Sequence, residues 1–124
     1  MSAQTEIKSI LEDMFAAWNA DDKADYLAHY WQDDSMAWSV KGAWFKGWDA
    51  MRREYERDFP AGAMGDAQIF DVDVFMAADT AGIAYYSWKH VFPEETLAGS
   101  ATQVFRKTDG RWQIVHENIA RVPV

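Results

Sequence analysis

The chain has no cysteine. Disulfide scaffolds, thiol nucleophiles, CxxC redox chemistry and cysteine zinc sites are thereby excluded. Basic residues are scarce: 12 Lys and Arg stand against 20 Asp and Glu, a net charge of −8 over 124 residues. A nucleic-acid binder normally shows a basic face, and an anionic membrane surface repels an acidic protein, so neither partner is expected. Long apolar runs are missing. Phe75-Met76-Ala77-Ala78 is typical, whereas a membrane span takes roughly 20 residues. Met1 to Glu6 carries an early acid and no basic segment leading into an apolar one. That is unlike a signal peptide, and a cytoplasmic protein is expected. No glycine-rich phosphate loop, dinucleotide fingerprint, GxSxG elbow, HxH or HExxH occurs, so neither cofactor nor metal is expected. The acids Asp21, Asp22 and Asp25 lack the spacing of an EF-hand loop.

Apolar residues are plentiful at 49%, and charged residues make up 26%. That composition suits one soluble domain spanning 1–124 with a sizeable core. Aromatic residues reach 15%, with seven tryptophans. So many large rings call for an aromatic core, a pocket or an interface.

The first half reads as helices. Ile7, Ile10, Leu11, Met14, Phe15 and Trp18 recur at spacings of three and four, one stripe of a 3.6-residue period. Ser2 or Thr5 can cap its start, and Asp22 can cap a short second helix running to about Tyr30. Alternation over Ser35 to Val40 predicts a strand, followed by a turn at Lys41-Gly42 and a second short piece at Ala43-Trp44-Phe45. A third helix follows Gly47 and stops at Pro60. From Gly65 onward the period becomes two. Strands are predicted over Ile69 to Met76, Ile83 to Phe92, Gly99 to Lys107 and Arg111 to Val122, the last two joined by the hairpin signal Asp109-Gly110. Three helices followed by an antiparallel meander make an α+β domain. Ile83 to Phe92 and Trp112 to Ile119 carry apolar residues in both registers. A sheet solvated on one face should alternate cleanly. With helices on one face, a second copy of the chain is the expected cover for the other, and a homodimer is predicted.

Four stretches in order resemble the nuclear transport factor 2-like superfamily, in particular its SnoaL-like and ketosteroid isomerase-like branch of uncharacterised bacterial proteins. They are Phe15 to Leu27, Tyr30 to Ser35, Lys46 to Met51 and Val104 to Asn118. The resemblance implies a cone-shaped fold: three N-terminal helices packed on a strongly curved antiparallel sheet around a deep apolar pocket. It also implies pairing of two copies through the sheet's outer face. The superfamily includes isomerases, dehydratases, polyketide cyclases and non-catalytic association modules, so membership does not by itself assign function.

The ketosteroid isomerase-like members use a tyrosine and an acidic aspartate around an oxyanion and a second aspartate as base. Those positions fall on Met14, Gln103 and Ser39 here. Methionine cannot donate a hydrogen bond, glutamine cannot transfer a proton at neutral pH, and an unassisted serine is a poor base. The standard ketosteroid isomerase mechanism is therefore not expected. The remaining acid–base candidates are Glu117, His116 and His90. Glu117 shares parity with Val115 and Ile119, which points it inward in the family's register. In an apolar cavity its pKa would rise; pairing with a Lys or Arg at the rim is the alternative. His116 could instead sit at a dimer interface, and His90 at the pocket mouth or on the outer face.

The aromatic set suits a pocket for an apolar ring or acyl group. Trp18, Trp38, Trp44, Tyr55, Phe59, Tyr86, Trp88 and Phe105 are the candidate lining residues, with Met14 beside them and Ser39, Gln103 and Glu117 as polar contacts. The expected function is binding of a small hydrophobic molecule, with cofactor-free isomerase, dehydratase or cyclase-type proton transfer if the protein is an enzyme. The alternative is a non-catalytic dimerisation or protein-association module.

Overall fold

The computed structural model describes residues 2–122. Helix α1 spans Ala3–Asn19 and α2 spans Lys23–Ala28, with strand β1 at Ala37–Val40 and β2 at Ala43–Lys46. Helix α3 covers Trp48–Asp58, and four long strands follow: β3 Asp66–Ala78, β4 Ala81–Val91, β5 Thr96–Thr108 and β6 Arg111–Arg121. The caps are those the sequence offers. The Ser2 hydroxyl accepts from the Thr5 amide at 3.2 Å, and Asp22 Oδ1 accepts from the Asp25 amide at 3.1 Å. Gly47, at φ 98°, turns the chain into α3. The stripe Ile7, Leu11, Met14 and Trp18 is buried against the sheet.

The six strands form one sheet in the order β2-β1-β6-β5-β4-β3. This overturns the expected strongly curved antiparallel cone. The sheet is mixed, because β1 lies parallel to β6, with Ala37 opposite His116 and Trp38 opposite Glu117. It is also open, with β2 and β3 as its two edges. The parallel pairing has a local cause. Where α2 ends, the chain docks on β6: the Ile114 amide donates to His29 O at 3.0 Å and the Trp31 amide to Ile114 O at 2.8 Å. The chain then continues in the direction of β6 and enters β1 parallel to it.

Register shifts alter the faces expected from simple alternation; besides one at the end of β3, between Met76 and Ala78, two lie within strands. In β3, Asp71 and Val72 together oppose Tyr86, with Asp71 at φ 55°. Inward positions are therefore Ala67 and Ile69 before the bulge, and Val72, Val74 and Met76 after it. In β6, Val115 is the extra residue, between the pairs Phe105–Ile114 and Val104–His116. Trp112 and Ile114 face inward before it, Glu117 and Ile119 after it. The two-register apolar pattern of β6 thus reflects a face switch within one strand.

Candidate functional site

The site is built around Trp18, at the C-terminal end of the α1 stripe. Its indole Nε1 donates to Met64 O at 3.0 Å. The rings of Tyr26, Phe59, His90 and Tyr55 surround it edge-on, with centroids at 5.0, 5.2, 5.7 and 5.9 Å. The Asn19 side chain clamps the start of β3, donating to Ala67 O and accepting from Ala67 N, both at 2.8 Å. With the Trp18 bond to Met64 O, these two hydrogen bonds tie Met64 and Ala67 to the end of α1.

Next to this cluster opens a cleft of about 680 Å³ between the helices and the sheet. Trp18, Trp38, Tyr55, Phe59, Tyr86, Trp88 and His90 all line it, as does Tyr26. Strands β5 and β6 set its depth. Ile119 and Ala101, a directly opposed pair, line the wall, and the next pair down is Glu117–Gln103. At the mouth Trp88 lies over Gly99, where a Cβ would come within 2.9 Å of the indole and 1.8 Å of Ala120 O. Only glycine leaves room there.

His90 has a fixed tautomer. Its Nε2 lies 2.6 Å from Met64 O. A carbonyl only accepts, so Nε2 carries the proton and Nδ1 is left as the acceptor nitrogen. Burial pushes the His90 pKa below its ordinary value, opposed by the Met64 carbonyl and by Asp66. At neutral pH it is an uncharged imidazole in the cleft wall, with the ring of Phe92 at 4.2 Å.

Glu117 is fully buried beneath the cleft rather than in its lining. Its Oε1 accepts from Tyr30 Oη at 2.5 Å and from Gln103 Nε2 at 2.6 Å. Burial raises its pKa, and these two donors pull the other way. Glu117 Oε2 and Gln103 Oε1 have no hydrogen-bond partner among the described residues. Burial, together with Glu117 itself, also raises the phenols of Tyr26, Tyr30, Tyr55 and Tyr86. Of these phenols, Tyr30 bonds the carboxyl group directly, and the Tyr26 hydroxyl stands 3.5 Å from that of Tyr30.

The other candidates lie elsewhere. Met14, Gln103 and Phe105 are wholly buried in the core below the cleft. Ser39 is buried and pairs with Trp44 across the β1–β2 hairpin. Trp44 is exposed, and its ring lies 5.1 Å from that of His116. Tyr26 and Tyr30 are not among the candidates that the sequence singles out. Their spacing of four across the end of α2 was the available signal, and the two hydroxyls come to 3.5 Å of each other. Among the described residues no cluster of three or more His, Asp or Glu side chains is arranged to hold a metal ion, and no helix is long and apolar enough to cross a membrane.

A family model for the SnoaL-like domain matches residues 7–124. No curated protein matches the chain. Among solved structures, an NTF2-like protein of unknown function from Shewanella oneidensis superposes with a TM-score of 0.88 at 24% identity, over 93% of this chain and 96% of its own. A protein from Parabacteroides distasonis, named provisionally as a ketosteroid isomerase, gives 0.77 at 13% identity, over 98% of this chain and 89% of its own. One from Novosphingobium aromaticivorans, named provisionally as a scytalone dehydratase, gives 0.72 at 15% identity, over 94% and 82%. At these identities the likeness is one of fold.

Proposed function

Because the chain belongs to the SnoaL-like domain family, we propose that its cleft binds a small hydrophobic molecule and carries out cofactor-free proton transfer of the isomerase, dehydratase or cyclase type. The observation that carries this reading is the pairing of an aromatic cleft of about 680 Å³ with the neutral imidazole of His90 in its wall. The apolar rings supply burial, at roughly 25 cal/mol per Å² of ligand surface removed from water. His90 Nδ1 supplies a base whose orientation is already set by Met64. Glu117 lies behind the floor and acts through Tyr30, whose hydroxyl donates to it.

The standard steroid isomerisation is not this protein's chemistry. Met14 and Gln103 are sealed in the core, and Ser39 pairs with Trp44 away from the cleft lining. The test is a binding screen of aromatic and acyl compounds followed by turnover on the hits. Trp18, Trp38 and Trp88 line the cleft, so occupancy should quench tryptophan fluorescence. His90→Gln should leave affinity within about threefold and lower turnover at least ~100-fold, the usual scale of a lost general base. Full turnover in that variant, or efficient isomerisation of a steroid by the wild type, would refute the assignment.

Self-association is the second part of the proposal, and the outer face of the sheet favours it. Phe75, Ile83, Val104 and His116 stand in one row across four adjacent strands. Phe75 is 61% exposed and Trp44 60%. Such a patch is unusual on a lone soluble domain. A homodimer through this face should bury at least roughly 1,200 Å². Light scattering should give twice the chain mass of 14.2 kDa, and Phe75→Glu should shift it towards the monomer. A wild-type monomer at ~50 μM, far above the dissociation constant expected of so stable an interface, would exclude it.

A further inference from the structure

The hydrogen bonds under the cleft run in one direction. A phenol has one proton to donate. Tyr30 places its proton on Glu117 Oε1, which also accepts from Gln103. An ionised carboxylate accepts both bonds. A neutral acid whose proton sits on Oε2 accepts both at Oε1 as well, so the direction holds for that form and for the carboxylate. Tyr30 then has no proton left for Tyr26, whose hydroxyl stands 3.5 Å from its own. The proton between the two phenols belongs to Tyr26. Tyr26 lines the cleft, and with its proton turned towards Tyr30 its oxygen has only lone pairs left to offer.

We propose that Tyr26 presents a hydrogen-bond acceptor to the cleft, and that the bound molecule carries a hydroxyl donor, phenolic or enolic, on an apolar ring skeleton. This rests on the cleft being the ligand site, as argued above. A hydroxyl on the ligand completes the chain from ligand to Tyr26, Tyr30 and Glu117. A ketone or an ether of the same shape sets lone pairs against lone pairs and leaves Tyr26 unmatched. Sites built to bond a hydroxyl discriminate strongly against analogues lacking it. The surrounding rings, Phe15 at 5.6 Å and Tyr55 at 6.2 Å from the Tyr26 ring, hold the phenol in place.

The chain also gives the ligand's proton somewhere to go. If the ligand hydroxyl passes its proton to Tyr26 Oη, Tyr26 passes its own to Tyr30, and Tyr30 passes its own to ionised Glu117 Oε1. The ligand is left as an oxyanion, both phenols are restored and Glu117 is neutral. Charge and protons balance without any other reactant.

The test compares three probes by ligand-observed NMR: naphthalene, 2-naphthol and 2-methoxynaphthalene. The expected result is that 2-naphthol binds roughly tenfold or more tightly than the other two. In Tyr26→Phe that preference should fall below about threefold. Circular dichroism of Tyr26→Phe checks its fold, and the wild-type series stands without the variant. Naphthalene binding with no preference for the hydroxyl would overturn this inference and leave the ligand site intact. So would tighter binding of the ether, or a preference that survives in Tyr26→Phe. Failure of all three probes to bind would overturn the ligand-site reading and this inference with it.

Discussion

Replacing Trp18 by alanine is expected to remove roughly 3–5 kcal/mol of stability, the usual cost of truncating a buried tryptophan. Trp18 is only 4% exposed. Four aromatic rings pack on it, and its indole N–H is one of two donors on Met64 O. The hole left behind would open into the cleft, so the neighbouring rings would lose the wall they lean on and ligand binding should go as well. Against a total of about 5–15 kcal/mol for a domain of this kind, the loss is a large fraction. Trp18→Phe separates packing from hydrogen bonding. It keeps a ring and loses the N–H, and should cost nearer 1–2 kcal/mol in all, of which the lost bond to Met64 is about 1. Urea unfolding followed by circular dichroism measures both variants. A loss under about 1 kcal/mol for Trp18→Ala, typical of a surface position, would show that this ring is not the hub of the site.

Much of the helical half was legible because its signals are local. The stripe from Ile7 to Trp18, the caps at Ser2 and Asp22, and the stop at Pro60 each act within a few residues. The parallel seating of β1 was not legible. It depends on where His29 and Trp31 meet Ile114, more than eighty residues away in sequence. The bulges were hidden for a different reason. One extra residue at Asp71 or Val115 moves every later side chain to the other face, yet the hydrophobic composition stays the same. Alternation through Val115 groups Glu117 and Ile119 with Val115, whereas in the structure Ile114 and not Val115 precedes them on their face. Trp18, Trp38, Tyr55 and Phe59 line the cleft. The Tyr30–Glu117 bond joins residues 87 positions apart, and no pattern in either segment announces it.

Glu117→Gln is expected to change how stability depends on pH, and the sign follows from the direction of the shift. Folding raises the Glu117 pKa above its ordinary value of 4.5, chiefly through burial. Between 4.5 and the folded value, the folded state holds a proton that the unfolded chain has released. Stability contributed by this group is then full below about 4.5 and is lost as pH rises through the folded pKa. His90 works in the opposite sense. Its folded pKa lies below the ordinary 6.5, so its contribution is full above that value and is lost as pH falls through the folded one. The two slopes oppose each other in the wild type, and the variant isolates one of them. Subtracting the wild-type curve from that of Glu117→Gln cancels His90. At pH 4 the two proteins should differ by a fixed offset, set by an amide nitrogen in place of Oε2. Above that, the variant should gain on the wild type with a slope approaching, at most, about 1.4 kcal/mol per pH unit, the value for one proton. Urea unfolding at half-unit steps from pH 4 to 8 reads the difference directly. A constant difference across that range would mean that Glu117 takes up no extra proton on folding. The relay from Tyr26 through Tyr30 would then end on an ordinary carboxylate, with no reason for a proton delivered there to stay.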